Sequence, residues 1–235
     1  MTPPEPWPLH HLVLRTPRLE LRPDDDEGLR ELADEAHRGV HPPDQMPFMV
    51  PWTDADPADL GRRMLQHYWS QRAQLDPANW TLNFLVRYDG RVVGAQGLSG
   101  HDFAVTREVE SGSWIGLRHQ GRGIGTEMRA AVLAFAFDHL GALSARSAAV
   151  SDNVASLRVS ERLGYQGDGT RTVVRRGAPT LDVRLLLPRE AFVRPEWTLR
   201  VEGVEPVLPF LGLASDQPRS TPRAKVSQAA GSPVR

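Results

Sequence analysis

The stretch that decides the fold is a glycine-rich turn, Gln120-Gly121-Arg122-Gly123-Ile124-Gly125-Thr126. An apolar stretch ending at Leu117 precedes it and is expected to be a strand, and the helical pattern of residues 127–137 follows it. Glycines remove side chains from the turn, so backbone N–H groups and the positive end of the helix dipole can face an anion. The turn therefore predicts a pyrophosphate-binding site.

Three kinds of pyrophosphate-binding turn compete for this sequence. A Walker loop ends in Gly-Lys-Ser/Thr, whereas here Gly125 is followed directly by Thr126 and Glu127, without a lysine. A Rossmann turn has the spacing Gly-x-Gly-x-x-Gly and an acidic residue about twenty positions later, but here the glycines alternate and residues 141–146 hold no Asp or Glu. The third is the coenzyme A loop Gln/Arg-x-x-Gly-x-Gly/Ala, which Gln120, Gly123 and Gly125 match.

Segments on both sides of the turn favour the third kind. They are, in chain order, Thr16-Pro17-Arg18-Leu19-Glu20-Leu21-Arg22-Pro23, Glu110-Ser111-Gly112-Ser113-Trp114, Asn153-Val154-Ala155-Ser156 and Arg162-Leu163-Gly164-Tyr165. In order and spacing, over about residues 12–187, they resemble the GCN5-related N-acetyltransferase (GNAT) superfamily, in the branch of the ribosomal-protein acetyltransferases RimJ and RimL. Met46-Pro47-Phe48 and neighbouring segments resemble an actinobacterial branch with a mycobacterial succinyl-CoA-dependent member.

The resemblance implies an α+β protein with a mixed, mostly antiparallel central sheet, splayed at the coenzyme A-binding strand and flanked by helices. It also implies acyl-CoA (acetyl-CoA or succinyl-CoA) as co-substrate and direct acyl transfer to a primary amine: a protein N-terminus, a lysine or a small molecule. A non-catalytic acyl-CoA-binding regulatory module is the alternative. GNAT proteins often dimerise, so a homo-oligomer is a further expectation.

Composition restricts the class of protein. The chain has 235 residues, a formal net charge of −1 and no cysteine. These features disfavour a nucleic-acid-binding surface and exclude a thiol nucleophile or a zinc–thiolate site, and no other metal-ligand cluster is visible. The N-terminus does not resemble a signal peptide, and no segment has 18 consecutive apolar residues. We expect a cytoplasmic protein without a metal or a membrane segment.

The chain is divided into four segments. Residues 1–11 are expected to be loose because they are rich in proline, and residues 12–188 form the acyltransferase domain. Residues 189–213 carry several apolar side chains and are predicted to pack on the domain or on a partner chain. Residues 214–235 are poor in apolar side chains, which predicts disorder.

Glu110 is the candidate catalytic base. The attacking amine must lose a proton, and a carboxylate can accept it directly or through water. Side chains alternate along a strand, so Glu110, Gly112 and Trp114 lie on one face of the strand that is expected to carry coenzyme A. Glu108 lies on the same face and is the second candidate.

The remaining site residues follow from the resemblance. It assigns the pantetheine arm to main-chain groups of the strand, and it assigns the phosphates to the turn with Arg122 as a possible ion-pair partner. Asn153 is an N-cap that also reaches the coenzyme or a water. The predicted coenzyme-binding residues are Trp114, Ile115, Gly116, Leu117, Gln120, Gly121, Arg122, Gly123, Ile124, Gly125, Thr126, Asn153 and Ser156.

The sequence departs from the family at the expected general acid. Many GNAT proteins have a tyrosine seven residues after the helix-starting asparagine, and here that residue is Ser160. Ser156, Ser160 or water can take the role, or the thiolate leaves unprotonated. A succinyl carboxylate would also need a cationic partner, for which Arg18, Arg22 and Arg107 are candidates.

Overall fold

The computed structural model describes residues 5–214, and in that range the strands form one nine-stranded sheet. The order across the sheet is β7-β8-β6-β5-β4-β3-β2-β1-β9. The strands are β1 (Val13–Arg15), β2 (Leu19–Pro23), β3 (Asn79–Tyr88), β4 (Arg91–His101), β5 (Glu108–Ile115), β6 (Ser144–Val150), β7 (Gln166–Arg175), β8 (Ala178–Pro188) and β9 (Arg200–Glu202).

Helices cover both faces of the sheet. They are α1 (Asp26–His37), α2 (Pro57–Ala73), α3 (Phe103–Thr106), α4 (Ile124–Phe135, continued by one π-helical turn, Ala136–Leu140) and α5 (Val154–Arg162). Along β3 successive side chains enter different cores: Leu85 packs with α1 and α2, while Phe84 and Val86 pack with α4. This alternation is that of a strand buried on both faces.

The sheet is mixed and mostly antiparallel, which confirms the expected fold class. Its one parallel pair is β5 with β6, and that pair is short: Glu108, Val109 and Glu110 face Ser144, Ala145 and Arg146. Beyond Glu110 the two strands continue without pairing, since β5 runs to Ile115 and β6 to Val150. The sheet is therefore open between β5 and β6, as the resemblance implied, and we call this opening the split.

Local signals placed most elements correctly. The Asp89-Gly90 turn between β3 and β4 has φ values of 50° and 77°, and an Asp-Gly pair is a sequence typical of such a type I′ hairpin turn. The strand expected before the glycine-rich turn is β5, which ends at Ile115, two residues before the expected end at Leu117. Asp102 and Arg107 both have left-handed backbone conformations, and they lie at the two ends of α3. This short helix places the Phe103 ring in the core, against the ring of Trp80.

The N-terminal segment is not loose over residues 7–11, which corrects the prediction for 1–11. Pro8–His11 forms a 3-10 helix, Leu9 is 3% exposed, and the Trp7 ring meets the Phe210 ring edge-on at 6.2 Å. The apolar partners come from the far end of the chain, which local sequence does not reveal. That end adds β9 beside β1 and a 3-10 helix, Glu205–Leu211, to the same core.

The disorder predicted for residues 214–235 lies, apart from Ala214, outside the described residues. Within residues 5–214, none of the helices has the length and apolar character needed to cross a membrane.

Candidate active site

The glycine-rich turn leads directly into α4 and leaves the N-terminus of that helix open. Gly121 and Gly123 have φ values of 72° and 77°, in the left-handed region that favours glycine. Gly123 is the N-cap and has no side chain to satisfy the first N–H groups of α4. Residues 121–123 are exposed. Free N–H groups and the helix dipole therefore face outward, as phosphate binding requires.

The one acidic side chain in the first turn of α4 is neutralised. Glu127 is buried, and it accepts hydrogen bonds from Arg18 Nε at 2.7 Å and Thr16 Oγ1 at 2.6 Å. Arg18 also donates to the carbonyl oxygen of Arg122 at 3.0 Å. The Arg18–Glu127 pair has no net charge, so Glu127 does not repel a phosphate at the turn, and the pairing engages the guanidinium that was a candidate for the acyl carboxylate.

Polar groups of three predicted coenzyme ligands already form hydrogen bonds to other residues of the protein. The side-chain amide of Gln120 donates to the carbonyl oxygens of Val40 at 2.8 Å and Ile115 at 3.0 Å. The N–H of Gly116 donates to Val93, and that of Leu117 donates to Gly39, both at 2.9 Å. The carbonyl oxygens of Gly116 and Leu117 also accept, from His119 and Gln120, so the prediction that these two residues bind the pantetheine arm through main-chain hydrogen bonds is corrected.

Other main-chain groups of β5 face the split. The Gly116 bond to Val93 fixes which residues of β5 are hydrogen-bonded to β4, and the alternation of an antiparallel ladder turns Ser111, Ser113 and Ile115 the other way. Ser147 of β6 already reaches the Ser111 carbonyl oxygen at 3.2 Å. Past that contact, Ser113 and the N–H of Ile115 are the main-chain groups of β5 best placed to pair with an extended arm, since the Ile115 carbonyl oxygen already accepts from Gln120.

A cleft of about 530 Å³ lies beside the split, on the sheet face covered by α1 and α2. One wall is a row of aromatic rings in which Phe48 and Trp52, and then Trp52 and Trp114, are each 5.3 Å apart between centroids. Tyr68 lies behind Trp114, whose indole donates to its hydroxyl at 3.4 Å, and burial raises the pKa of Tyr68 to about 12. Glu110, Gly112, Ala148, Arg171 and Asp182 form other parts of the lining.

The structure separates the two glutamate candidates. Glu108 accepts hydrogen bonds from Arg146 Nε at 2.6 Å and from Ser144 at 3.0 Å, so its carboxylate is engaged at the base of the split. Glu110 is exposed and lines the cleft with Gly112 and Trp114. Its carboxylate has no hydrogen-bond or ion-pair partner within residues 5–214. Of the two, Glu110 alone has a free carboxylate facing a cavity.

Asn153 has the structural role of an N-cap and ties two elements together. Its Oδ1 accepts from the Ser156 N–H at 3.1 Å, and its Nδ2 donates to the carbonyl oxygen of Pro47 at 3.1 Å. Pro47 belongs to the loop that carries the aromatic wall, and Arg175 also donates to the neighbouring Met46 carbonyl oxygen. Ser156 lies on the first turn of α5 and is half-buried.

Ser160 is corrected as a candidate acid. It is fully buried, its hydroxyl hydrogen goes to the carbonyl oxygen of Ser156 at 3.1 Å, and its oxygen accepts from Arg129 at 2.9 Å. A hydroxyl that is used in both directions has no proton to offer a leaving group.

Two residues near the split were missed from the sequence. The Tyr165 hydroxyl lies 3.2 Å from Ser111 Oγ, and burial raises the pKa of this tyrosine. Arg129 is buried on α4, with its guanidinium between Ser113 and Ser160. A signal for Arg129 was present, since α4 is apolar on every side and leaves no solvent face for a charged residue.

The comparisons with known proteins agree with this geometry. A family model described as the acetyltransferase (GNAT) domain matches residues 18–166, well over half of the chain. The structure is similar to that of RimJ from Mycobacterium smegmatis in complex with CoA-disulfide, with a TM-score of 0.63 and 18% identity over 86% of this chain and 95% of that one.

Two further solved structures share the fold. One is a GCN5-related N-acetyltransferase from Brucella melitensis, with a TM-score of 0.61 and 20% identity over 76% of this chain and 79% of that one. The other is a spermidine N-acetyltransferase SpeG chimera from Vibrio cholerae and hSSAT, with a TM-score of 0.58 and 16% identity over 74% of this chain and 96% of that one. These likenesses show the shared fold, and the family match over residues 18–166 establishes that the chain belongs to the GNAT acetyltransferases.

Proposed function

We propose that this protein transfers an acetyl or succinyl group from its coenzyme A thioester to a primary amine within a ternary complex. The observation that carries the proposal is the split between β5 and β6, which connects two differently built sites. At one end is the open N-terminus of α4. At the other is the aromatic cleft that contains Glu110. A thioester bound from one side would meet an amine bound from the other.

The cleft suits an acceptor that arrives as an ammonium ion. The faces of aromatic rings attract cations, and Phe48, Trp52 and Trp114 form a continuous row of rings. The free carboxylate of Glu110 adds negative charge to the same cavity. The amine can belong to a protein N-terminus, a lysine or a small molecule.

Glu110 would act as the base. It takes a proton from the ammonium, directly or through one water, so that the nitrogen can attack the thioester carbon. The new C–N bond forms, the C–S bond breaks and its electron pair leaves on sulfur. The main-chain N–H groups of Ser113 and Ile115 that face the split are candidates to stabilise the negative charge that develops on the carbonyl oxygen.

Acetyl-CoA is the donor that the family suggests, and succinyl-CoA is the alternative suggested by the closer resemblance. The three arginines proposed for a succinyl carboxylate do not support that alternative. Arg18 pairs with Glu127, and Arg22 pairs with Glu20 on β2, three strands from β5. Arg107 donates to the Leu140 carbonyl oxygen and lies over the Phe103 ring.

The test has a binding arm and a transfer arm. Native mass spectrometry with equimolar acetyl-CoA and succinyl-CoA identifies the preferred donor, and that donor is then incubated with a panel of amines while free thiol is measured. We expect binding, thiol release that depends on an amine, and a 10²–10⁴-fold loss of transfer in Glu110→Gln with donor binding retained. Binding without transfer to any amine would favour the regulatory module, and absence of binding would refute both functions.

A further inference from the structure

Arg129 is a buried cation without a counter-charge. The residue is 4% exposed. Its Nη1 donates to Ser160 Oγ at 2.9 Å and its Nη2 to Ser113 Oγ at 3.2 Å, while its Nε has no partner. No carboxylate within residues 5–214 forms an ion pair with it, and burial lowers its pKa.

Burial of the Arg129 charge without a carboxylate partner lowers the stability of the folded protein. Moving a charge out of water costs several kcal/mol, and two neutral hydroxyl groups offset only part of that. An aliphatic side chain would fit the apolar surroundings of α4 at no such cost. The arrangement indicates that an anion completes the site when substrate is bound.

The location identifies the part of the donor concerned. Arg129 lies five residues beyond Ile124 on α4, about 8 Å deeper than the phosphate-binding end of the helix. Its contact with Ser113 places it beside the unpaired part of β5, and its contact with Ser160 places it at the position where the family tyrosine is missing. A donor anchored by its phosphates and extended along β5 would bring its sulfur end to this guanidinium.

We infer that Arg129 binds the thiolate of coenzyme A that is released when the acyl group leaves. The electron pair of the broken C–S bond stays on sulfur, the guanidinium cation stabilises it without giving up a proton, and the proton from the amine goes to Glu110. The inference rests on the proposed function. It explains how Ser160, which has no proton to offer, can replace a tyrosine.

The other titratable group facing Arg129 is Tyr165, whose hydroxyl contacts Ser111. Glu110 acts on Tyr165 electrostatically from the cleft side. Tyr165 is the competing explanation, since a phenol could protonate the sulfur. Tyr165→Phe removes only the hydroxyl and is therefore the matched control for Arg129→Met.

The experiment measures the ionisation of bound coenzyme A, not catalysis. Ultraviolet absorbance of the thiolate gives the thiol pKa in the complex with the full-length protein, and calorimetry from pH 6.5 to 9.5 compares coenzyme A with desulfo-coenzyme A. Wild type should hold the bound thiol at least one unit below its free value of about 8.5. Its preference for coenzyme A over the desulfo analogue should then rise about tenfold with pH.

The variants separate the explanations. Arg129→Met should return the bound thiol pKa to the free value or above, Arg129→Lys should keep part of the shift, and Tyr165→Phe should keep most of it. A wild-type thiol that titrates at or above its free value overturns the inference, even if Arg129→Met fails to fold. It is also overturned if Arg129→Met leaves the thiol pKa unchanged but weakens succinyl-CoA binding more than acetyl-CoA binding, because the anion would then be the acyl carboxylate.

Failure of the proposed function would look different. A lowered thiol pKa in wild type that Arg129→Met abolishes, without transfer to any amine, would refute the transferase proposal while showing that Arg129 binds the coenzyme A thiolate.

Discussion

The buried carboxylate of Glu35 on α1 packs directly against Gly116, the residue that follows β5, so closely that a Cβ at Gly116 would overlap it. Arg118 holds the carboxylate from the other side, with its Nε 3.0 Å from Glu35 Oε1. The contact joins α1 to the segment between β5 and the glycine-rich turn. Gly116 is therefore a close-packing residue that orients the turn, besides any role toward the coenzyme.

Gly116→Ala should destabilise the fold by about 1–3 kcal/mol, because the added methyl group must displace a carboxylate that is held in place. Urea unfolding without ligand measures the change. Gly112→Ala is the matched control, since Gly112 lies four residues earlier, within β5, with no atom within 4 Å of an added Cβ, and it should change stability by no more than about 0.5 kcal/mol. Equal costs for the two variants would contradict the assignment.

Substitutions at Asn153 can distinguish its role in capping α5 from its hydrogen bond to Pro47, in the loop that carries the aromatic wall. Asn153→Asp can still accept from the Ser156 N–H but cannot donate to Pro47, so stability should be kept while KM for the amine rises about 2- to 10-fold. Asn153→Ala should show the same rise in KM and lose about 1 kcal/mol of stability as well. Steady-state kinetics with varied amine, together with urea unfolding, tests both. An unchanged KM in Asn153→Asp would show that the Pro47 contact does not position the wall.

Trp52 lies at the centre of the aromatic row, within 5.3 Å of both Phe48 and Trp114. Trp52→Ala should raise KM for the amine about 2- to 30-fold through loss of cation–π attraction and leave KM for the acyl donor within about twofold. Trp69→Ala is the control, because Trp69 is on the surface outside the cleft and donates to Asp26. If the two variants raise KM for the amine by the same factor, the cleft is not the amine site.

Tyr68 should make stability sensitive to high pH. Its pKa is raised to about 12 in the folded protein, while in the unfolded chain it remains near 10. Between these values the unfolded state releases the proton first, so the contribution of Tyr68 is complete below pH 10 and is lost as the pH rises toward 12. Tyr68→Phe should remove up to about 2–3 kcal/mol of that decline. Parallel unfolding curves for wild type and variant from pH 9 to 12 would contradict the prediction.

Much of the fold could be predicted because its signals are local. The Asp89-Gly90 turn has residues that tolerate positive φ, Asn153 caps a helix, and the glycines of the turn leave an uncapped α4. Predictions from local sequence were wrong where the packing partner is distant along the chain. Leu9 is buried by residues from the C-terminal segment, and the helical turn that starts at Phe103 is stabilised by packing against Trp80.

The candidate site also has a part that local sequence predicts and a part that it does not. Strand periodicity alone placed Glu110, Gly112 and Trp114 on one face, and all three line the cleft. Periodicity could not distinguish Glu110 from Glu108, because the difference is the ion pair that Arg146 of β6 makes with Glu108.

The sequence by itself determined the fold class, the family and the glycine-rich turn before α4, because each depends on motifs whose residues are neighbours along the chain. Only the tertiary structure decided which side chains are free to act. Hydrogen bonds between distant segments engage Gln120, Glu108 and the Ser160 oxygen, and burial without a counter-charge sets Arg129 apart. Those properties depend on which polar groups meet in space and which are removed from water, and neither is encoded in local sequence.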